Sequence, residues 1–223
     1  MSLFLRFLRW FSVHLYTTVA WSYDGIAWLV SMGQWGAWQQ VGLDRLPQGQ
    51  ILEIGHGPGH VLEKLAEHGA AAVGLDPSRQ MGHLAARRLR RRGQKVHLIR
   101  ARAQAIPLPA GRLDGVLSTF PSEYIMDAQT CAEVWRVLRP GGDLVIVPGA
   151  TITGRSLADR LGARFNQAAF QSAGPDPRWT RSLEAAGFAV TLEHLQLPRA
   201  IVERTVARKP ASSLSIAREQ ARA

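Results

Sequence analysis

Short apolar runs alternate along this chain with longer segments in which apolar residues recur at helical spacing. Ile51-Leu52-Glu53-Ile54 and Ala71-Ala72-Val73-Gly74-Leu75 read as buried strands, and so do Val96 to Ile99, Leu113 to Ser118 and Asp143 to Pro148. Between them the spacing predicts helices from His60 to His68, from Pro77-Ser78 to about Arg92, and from Asp127 to Leu138. A further helix runs from Trp179 to Ala186 and closes at Gly187. Phe188 to His194 and Ala200 to Ala207 form a final antiparallel pair. Strand and helix in alternation predict βαβ units on a mostly parallel sheet.

The ends differ from this middle. Ser2 to Trp21 is densely apolar and aromatic, with Arg6, Arg9 and Thr17 on one side at helical spacing. Two readings stay open. The segment lies in a membrane interface or over the site as a lid, apolar face in lipid and arginines at the phosphates, or it packs on the domain or a partner chain. Its arginines argue against a clean membrane span, and no small-residue cleavage site follows that would mark a signal peptide. A second helix is predicted over Gly25 to Gln40, carrying Trp28, Trp35 and Trp38 and opened by Asp24 as N-cap. Residues 1–46 thus form an N-terminal helical unit and 47–207 the α/β domain. Residues 208–223 read as a basic tail, disordered or loosely helical. Gly149 to Gly174 reads as an insertion with a helix from Ser156 to Gln171.

Composition sharpens the picture in two places. A single cysteine, Cys131, excludes a disulfide framework, and no Cys/His spacing resembles a metal site, so no metal is expected. The formal net charge is +10 over 223 residues, almost all of it arginine, which favours an anionic partner. Arg87, Arg88, Arg90, Arg91 and Arg92 form either a phosphate-binding patch or a solvated helix end whose cations oppose the dipole.

The chemistry concentrates in Glu53-Ile54-Gly55-His56-Gly57-Pro58-Gly59-His60. Three alternate glycines after a strand let the backbone turn sharply and lie against a ligand, and the helix that follows offers free N–H groups to an anion. Asp76, at the end of the next strand, is placed to accept both hydroxyls of a ribose. The alternative is a glycine-rich turn with a capping Asp; the combination with Glu53 in a βαβ setting outweighs it. Together they describe a nucleoside pocket at the carboxyl edge of a parallel sheet.

Glu53-x-Gly55-x-Gly57-x-Gly59 resembles motif I of the class I, seven-strand S-adenosylmethionine (SAM)-dependent methyltransferases, of the type 11-like kind, and Asp76 matches their ribose acid. Ile106 to Asp114 and Glu133-Val134-Trp135-Arg136-Val137-Leu138-Arg139-Pro140-Gly141-Gly142 resemble two further segments of that family, so the likeness covers roughly Gln50 to Pro148. The resemblance implies an α/β, Rossmann-like doubly wound, mostly parallel seven-strand sheet with helices on both faces, here with added N-terminal apolar helices. It also implies SAM as cofactor and S-adenosylhomocysteine as product. The cofactor residues it points to are Glu53, Gly55, His56, Gly57, Gly59, Asp76, Pro77, Arg102, Ala103, Gln104 and Ser118. Arg102 is a departure: relatives commonly carry an Asp there that takes the adenine amino group, whereas arginine cannot accept a hydrogen bond.

On the acceptor side, Thr119 to Ile125 offers Glu123 as base or cation partner and Tyr124 to orient. Tyr23 matches an aromatic that often folds over the site in related enzymes. Among its relatives the chain is most similar to phospholipid N-methyltransferases and quinone-biosynthesis C-methyltransferases. The expected acceptor is therefore hydrophobic or membrane-held, with an anionic membrane surface as partner, a cytoplasmic site peripheral to the inner face of the membrane, and nucleic acid disfavoured. A soluble small-molecule O- or N-methyltransferase stays open, as do an RNA-directed enzyme and a non-catalytic SAM-binding protein.

Overall fold

The computed structural model describes residues 23–154, 156, 159, 162–163 and 177–211, without the side chains of residues 23, 24, 26 and 177–179. Its strands are β1 (Gln50–Ile54), β2 (Ala71–Leu75), β3 (His97–Ile99), β4 (Leu113–Thr119), β5 (Leu138–Ile152), β6 (Ala189–Leu197) and β7 (Ala200–Arg208). They form one sheet in the order β3-β2-β1-β4-β5-β7-β6. β1 to β5 run parallel, and β7 runs antiparallel between β5 and β6. From β1 the chain steps outward to β2 and β3, then returns to β4 on β1's other side. That reversal opens a crevice at the carboxyl edge, where ligands bind in open α/β sheets.

Among the described residues these helices accompany the strands: α1 (Tyr23–Ser31), α2 (Trp35–Leu43), α3 (His60–Glu67), α4 (Arg79–Arg91), α5 (Ala128–Val137) and α6 (Pro177–Ala185). Alternation along the strands feeds two apolar layers. Ile51, Leu117 and Val145 meet Val61, Leu62 and Leu65 of α3 and Leu89 of α4. On the other face Leu52, Val116, Leu144 and Ile146 meet Cys131, Val134 and Val137 of α5 and Leu183 of α6. Each fully buried aliphatic side chain stabilises the fold by roughly 1.5–3 kcal/mol.

A third cluster joins Trp38 and Val41 of α2 to Val147, Ala150, Ile152, Ala200 and Val202. α2 packs so closely that a Cβ on Gly42 would stand 2.9 Å from Leu117 Cδ1 and 3.0 Å from Val147 Cγ2. Just past its end, Arg45 reaches Asp143 near the amino edge (3.2 Å), while Trp35 at its start lies against Phe120 after β4. α2 therefore runs antiparallel to β4 and begins at the carboxyl edge.

Several boundaries differ from the sequence reading, among them the start of the fifth strand at Leu138 and the end of the sixth at Leu197. The helix expected over Gly25 to Gln40 is two helices. Met32 and Gly33 take φ of 51° and 78°, and Gly33 N–H donates back to Trp28 O at 2.9 Å, ending α1. Ser31 then bridges the helices, its hydroxyl donating to Ala27 O and accepting from Trp35 N–H. The fifth strand is longer than Asp143 to Pro148, because Gly149 to Ile152 pair with Ala200 to Glu203. Pro148 falls in the register shift between Ile146 and Gly149, where a residue lacking an N–H costs no ladder bond. At the other end, Arg208 and Lys209 are bound: Arg208 grips Asp143, and Lys209 donates to the carbonyls of Trp135 and Leu138 at the end of α5.

The stretch 1–22, most of the helix read over Ser156 to Gln171, and the tail 212–223 lie outside the described residues. Among the described residues no helix is long and apolar enough to cross a membrane, and no cluster fit for a metal ion occurs.

Candidate functional site

The glycine loop binds across the crevice before any ligand is considered. Gly55 N–H donates to Leu75 O at 2.7 Å, extending the β1–β2 pairing, and Gly57 N–H donates to Asp76 Oδ2 at 3.0 Å. Ser78 N–H takes Asp76 Oδ1 at 2.8 Å. The buried Asp76 carboxylate is thus fixed by two backbone donors, and each oxygen keeps a lone pair for a hydroxyl.

The three glycines are needed for different reasons. All have positive φ: 73° at Gly55, 52° at Gly57 and 84° at Gly59. A Cβ on Gly55 would stand 2.6 Å from Tyr124 Oη, and one on Gly59 would stand 2.9 Å from Ala85 Cβ of α4. A Cβ on Gly57 would meet nothing within 4 Å. Its constraint inside the protein is backbone conformation alone, and the open space above it is where a nucleoside can lie close.

Glu53 is buried between this loop and α3. Its carboxylate takes a hydrogen bond from the Leu62 backbone, near the N-terminus of a helix whose capping residue, Gly59, has no side chain to offer. Oε2 has no hydrogen-bond partner among the described residues. Burial, with a smaller push from nearby Asp76, holds the carboxyl well above the ordinary glutamate range. The ring of His56 is pinned by its own loop, with Nδ1–H donating to Gly57 O at 2.7 Å. Burial lowers its pKa against the opposing pull of Asp76, so the ring stays neutral beside the loop.

Across the crevice, Ser118 Oγ donates to Ile54 O at 3.0 Å and lies 3.1 Å from Tyr124 Oη. Tyr124 Oη also reaches Ile54 O at 3.4 Å. These contacts place Tyr124 over Gly55, at the junction of the loop and β4. Glu53, Gly55, His56, Gly57, Gly59, Asp76, Ser118 and Tyr124 therefore meet at one place. Pro77 follows Asp76 directly, and its carbonyl is held by Arg100 Nε at 3.2 Å.

The segment after β3 is adjacent, reached through the β2–β3 pairing. There Ala103 is buried and Arg102 exposed. The Gln104 amide donates to Asp127 Oδ2 at 2.9 Å, and that bond, with Gln129 N–H, holds the Asp127 carboxyl below its ordinary range. Gln104 thus ties this segment to the N-cap of α5. Glu123 is exposed at the first position of a single 3₁₀ turn, Glu123–Met126. The side chain of Tyr23 lies outside the described residues.

Two features were not read from the sequence. Glu133 and Arg136 staple the segment leading into β4: Ile106 N–H donates to Glu133, and Arg136 donates to the carbonyls of Ile106 and Leu108 at 2.8 Å each. Glu-x-x-Arg one turn apart on a helix was the available signal. The arginine run is also divided. Arg92 Nε pairs with Glu63 at 2.6 Å, and Arg88 reaches both Glu63 (3.6 Å) and Pro58 O (3.0 Å), bracing α3 and the loop; Arg87, Arg90 and Arg91 are exposed.

The residues present fit SAM on three counts: a paired Asp76 with spare lone pairs, open space over Gly57, and an unpartnered buried oxygen on Glu53. Asp76 would hold the ribose, Gly55 and Gly57 would line the loop, and Glu53 and Tyr124 would flank the methionine end. The adenine side is less provided for, since Arg102 cannot accept and Gln104 is engaged.

Comparison with known proteins agrees with this geometry. Residues 51–142 match the methyltransferase domain family. A demethylmenaquinone methyltransferase from Thermus thermophilus is 32% identical over 140 residues, covering 60% of this chain and 63% of that protein. The chain spans less than two-thirds of the length of the curated relatives it matches first. Geranyl diphosphate C-methyltransferase from Streptomyces coelicolor, solved with S-adenosylhomocysteine, shares the fold with a TM-score of 0.61 at 14% identity, covering 78% of each chain. A phosphoethanolamine N-methyltransferase from Haemonchus contortus superposes with a TM-score of 0.60 at 16% identity, over 80% of this chain and 53% of that one.

Proposed function

Because this chain belongs to the class I SAM-dependent methyltransferases, we propose that it moves the methyl group of SAM onto a hydrophobic, membrane-held acceptor, a quinone-like ring or a phospholipid amine. One observation carries the acceptor reading. Trp28 and Leu29 of α1 are 64% and 51% exposed, and they continue in sequence the apolar, aromatic stretch 2–21. Large exposed apolar side chains next to such a stretch support a surface that meets lipid. The demethylmenaquinone methyltransferase to which the chain is 32% identical supports the same reading.

When bound, SAM supplies a methyl carbon already activated by positive sulfur. The chain's own task is then positioning. Asp76 and the glycine loop fix the nucleoside end, and Tyr124 and Ser118 define the wall between donor and acceptor. The buried, neutral His56 adds no positive charge near a sulfonium. The acceptor's nucleophilic atom bonds to the methyl carbon as the carbon–sulfur bond breaks, and the acceptor's proton leaves to water.

The test is transfer of labelled methyl from SAM into a total membrane extract, followed by organic–aqueous partition. Label in the organic phase is the expected result. Label confined to the aqueous phase would point to a soluble small molecule and contradict the acceptor reading.

A further inference from the structure

Residues 77–113 hold nine arginines and one lysine but none of the chain's 17 acidic residues. Within them lie α4 and β3, and β3 is the outermost strand of the sheet on that side. One edge of the molecule is therefore basic without an acid of its own.

The arginines of α4 divide into two sets. Arg88 and Arg92 are engaged: both pair with Glu63 of α3, and Arg88 also holds Pro58 O. Arg79, Arg87, Arg90 and Arg91 are exposed and make no ion pair among the described residues. At about 3.6 residues per turn these four fall in one arc, opposite the buried Met81, Ala85 and Leu89. Lys95, exposed just past the helix, adds to the same end.

The helix itself does not call for this stripe. A cation is favourable in its last turn, where Arg88 would suffice, but unfavourable at the first position, where Arg79 stands with no acid in that turn. Arg87 lies three and four residues before Arg90 and Arg91, spacings at which like charges repel on a helix. A row of unpaired cations kept against both effects points to an anion outside the chain. No Phe, Tyr or Trp occurs in residues 77–119, so the segment offers nucleic-acid bases no aromatic ring to stack on. What α4 presents is a straight row of phosphate partners, 13 residues or roughly 20 Å long.

We propose that the outer face of α4, with Lys95, is a docking surface for the anionic phospholipid headgroups of a bilayer. α4 starts three residues beyond Asp76, so a bilayer held along it adjoins the cofactor crevice. The choice of lipid over nucleic acid rests on the membrane-held acceptor reading; the surface itself does not depend on methyl transfer.

The test is sedimentation of the full chain with phosphatidylglycerol vesicles, with phosphatidylcholine vesicles and a short RNA duplex as comparisons. Wild type should bind phosphatidylglycerol well above phosphatidylcholine, and added salt should weaken that binding. Two double variants remove the same charge from different faces. Arg87→Gln with Arg90→Gln, on the outer arc, should weaken vesicle binding about 25-fold, at roughly fivefold per cation, with S-adenosylhomocysteine affinity within about twofold of wild type. Arg88→Gln with Arg92→Gln, on the α3 side, should lower the melting temperature and change vesicle affinity by less than about fivefold. Unchanged binding in the outer variant, equal losses in the two variants, or equal binding of the two lipids would each overturn the surface. Tighter binding of the RNA duplex than of the vesicles, lost in the outer variant, would assign it to nucleic acid and overturn the lipid proposal. Vesicle binding is read without turnover, so methyl label absent from the organic phase would overturn the acceptor reading and leave this result standing.

Discussion

Asp76 and Gly57 show how little covalent machinery this site needs. Gly57 N–H holds Asp76 Oδ2, so the loop that must approach the nucleoside also orients the acid that binds its ribose. Gly57→Val should leave packing intact, since its Cβ points into open space, but strain a φ of 52° and occupy the cofactor's place. The expected result in a thermal melt is a loss of about 1–2 kcal/mol, with SAM binding abolished in calorimetry.

Glu53 makes the opposite kind of prediction. Its folded-state pKa is raised by burial and by Asp76, so the stability it contributes is complete below the ordinary glutamate value and is lost as pH rises through the raised one. In the absence of cofactor, Glu53→Gln should therefore melt higher than wild type, by about 2–4 °C per kcal/mol regained. Its advantage should grow from the ordinary glutamate range upward and level off once the folded carboxyl ionises. The same variant should bind SAM more weakly. A glutamine that melts no higher at pH 8 than at pH 4, relative to wild type, would show that Glu53 is not held protonated by its surroundings.

At the scale of elements, what could be read from sequence depended on whether a signal was local. The strand–loop–helix at residues 50–67 was legible because one segment carries its apolar run, its glycines and its helix start. The break between α1 and α2 was not, because the tryptophan spacing runs on through Met32-Gly33. Ser31 stitches the two helices by contacts that periodicity does not display. β5 outran its expected end because Pro148 reads as a stop, whereas the register shift there accommodates it.

The Glu133–Arg136 staple is testable at this scale. Arg136→Ala takes the Arg136 donor from the Leu108 carbonyl and one of two donors from the Ile106 carbonyl, which keeps Leu108 N–H, and should cost about 1–3 kcal/mol. Arg136→Lys should recover only part of the loss, because a point charge cannot serve two carbonyls and a carboxylate in one plane. Chemical denaturation of the three proteins checks it; full recovery by lysine would reduce the staple to simple charge.

At the scale of the whole molecule, charge and exposed apolar surface lead to one further prediction. The net charge of +10, the exposed Arg87, Arg90 and Arg91, and the exposed Trp28 and Leu29 all favour an anionic lipid surface. Flotation with anionic vesicles should carry the full chain, and deletion of residues 1–21 should reduce the bound fraction severalfold; equal flotation of the truncated chain would place the contact elsewhere.

The central claim is that the crevice between β1, β2 and β4 holds SAM through Asp76. Calorimetric titration of SAM into wild type and Asp76→Ala tests it most directly. Loss of two hydroxyl contacts to a charged acceptor, about 3 kcal/mol, should weaken binding at least about 100-fold, with the ligand-free protein still folding cooperatively though about 1–3 kcal/mol less stable, because Gly57 and Ser78 N–H lose their acceptor. Equal affinity in the two proteins would contradict the assignment of the ribose, and with it the site.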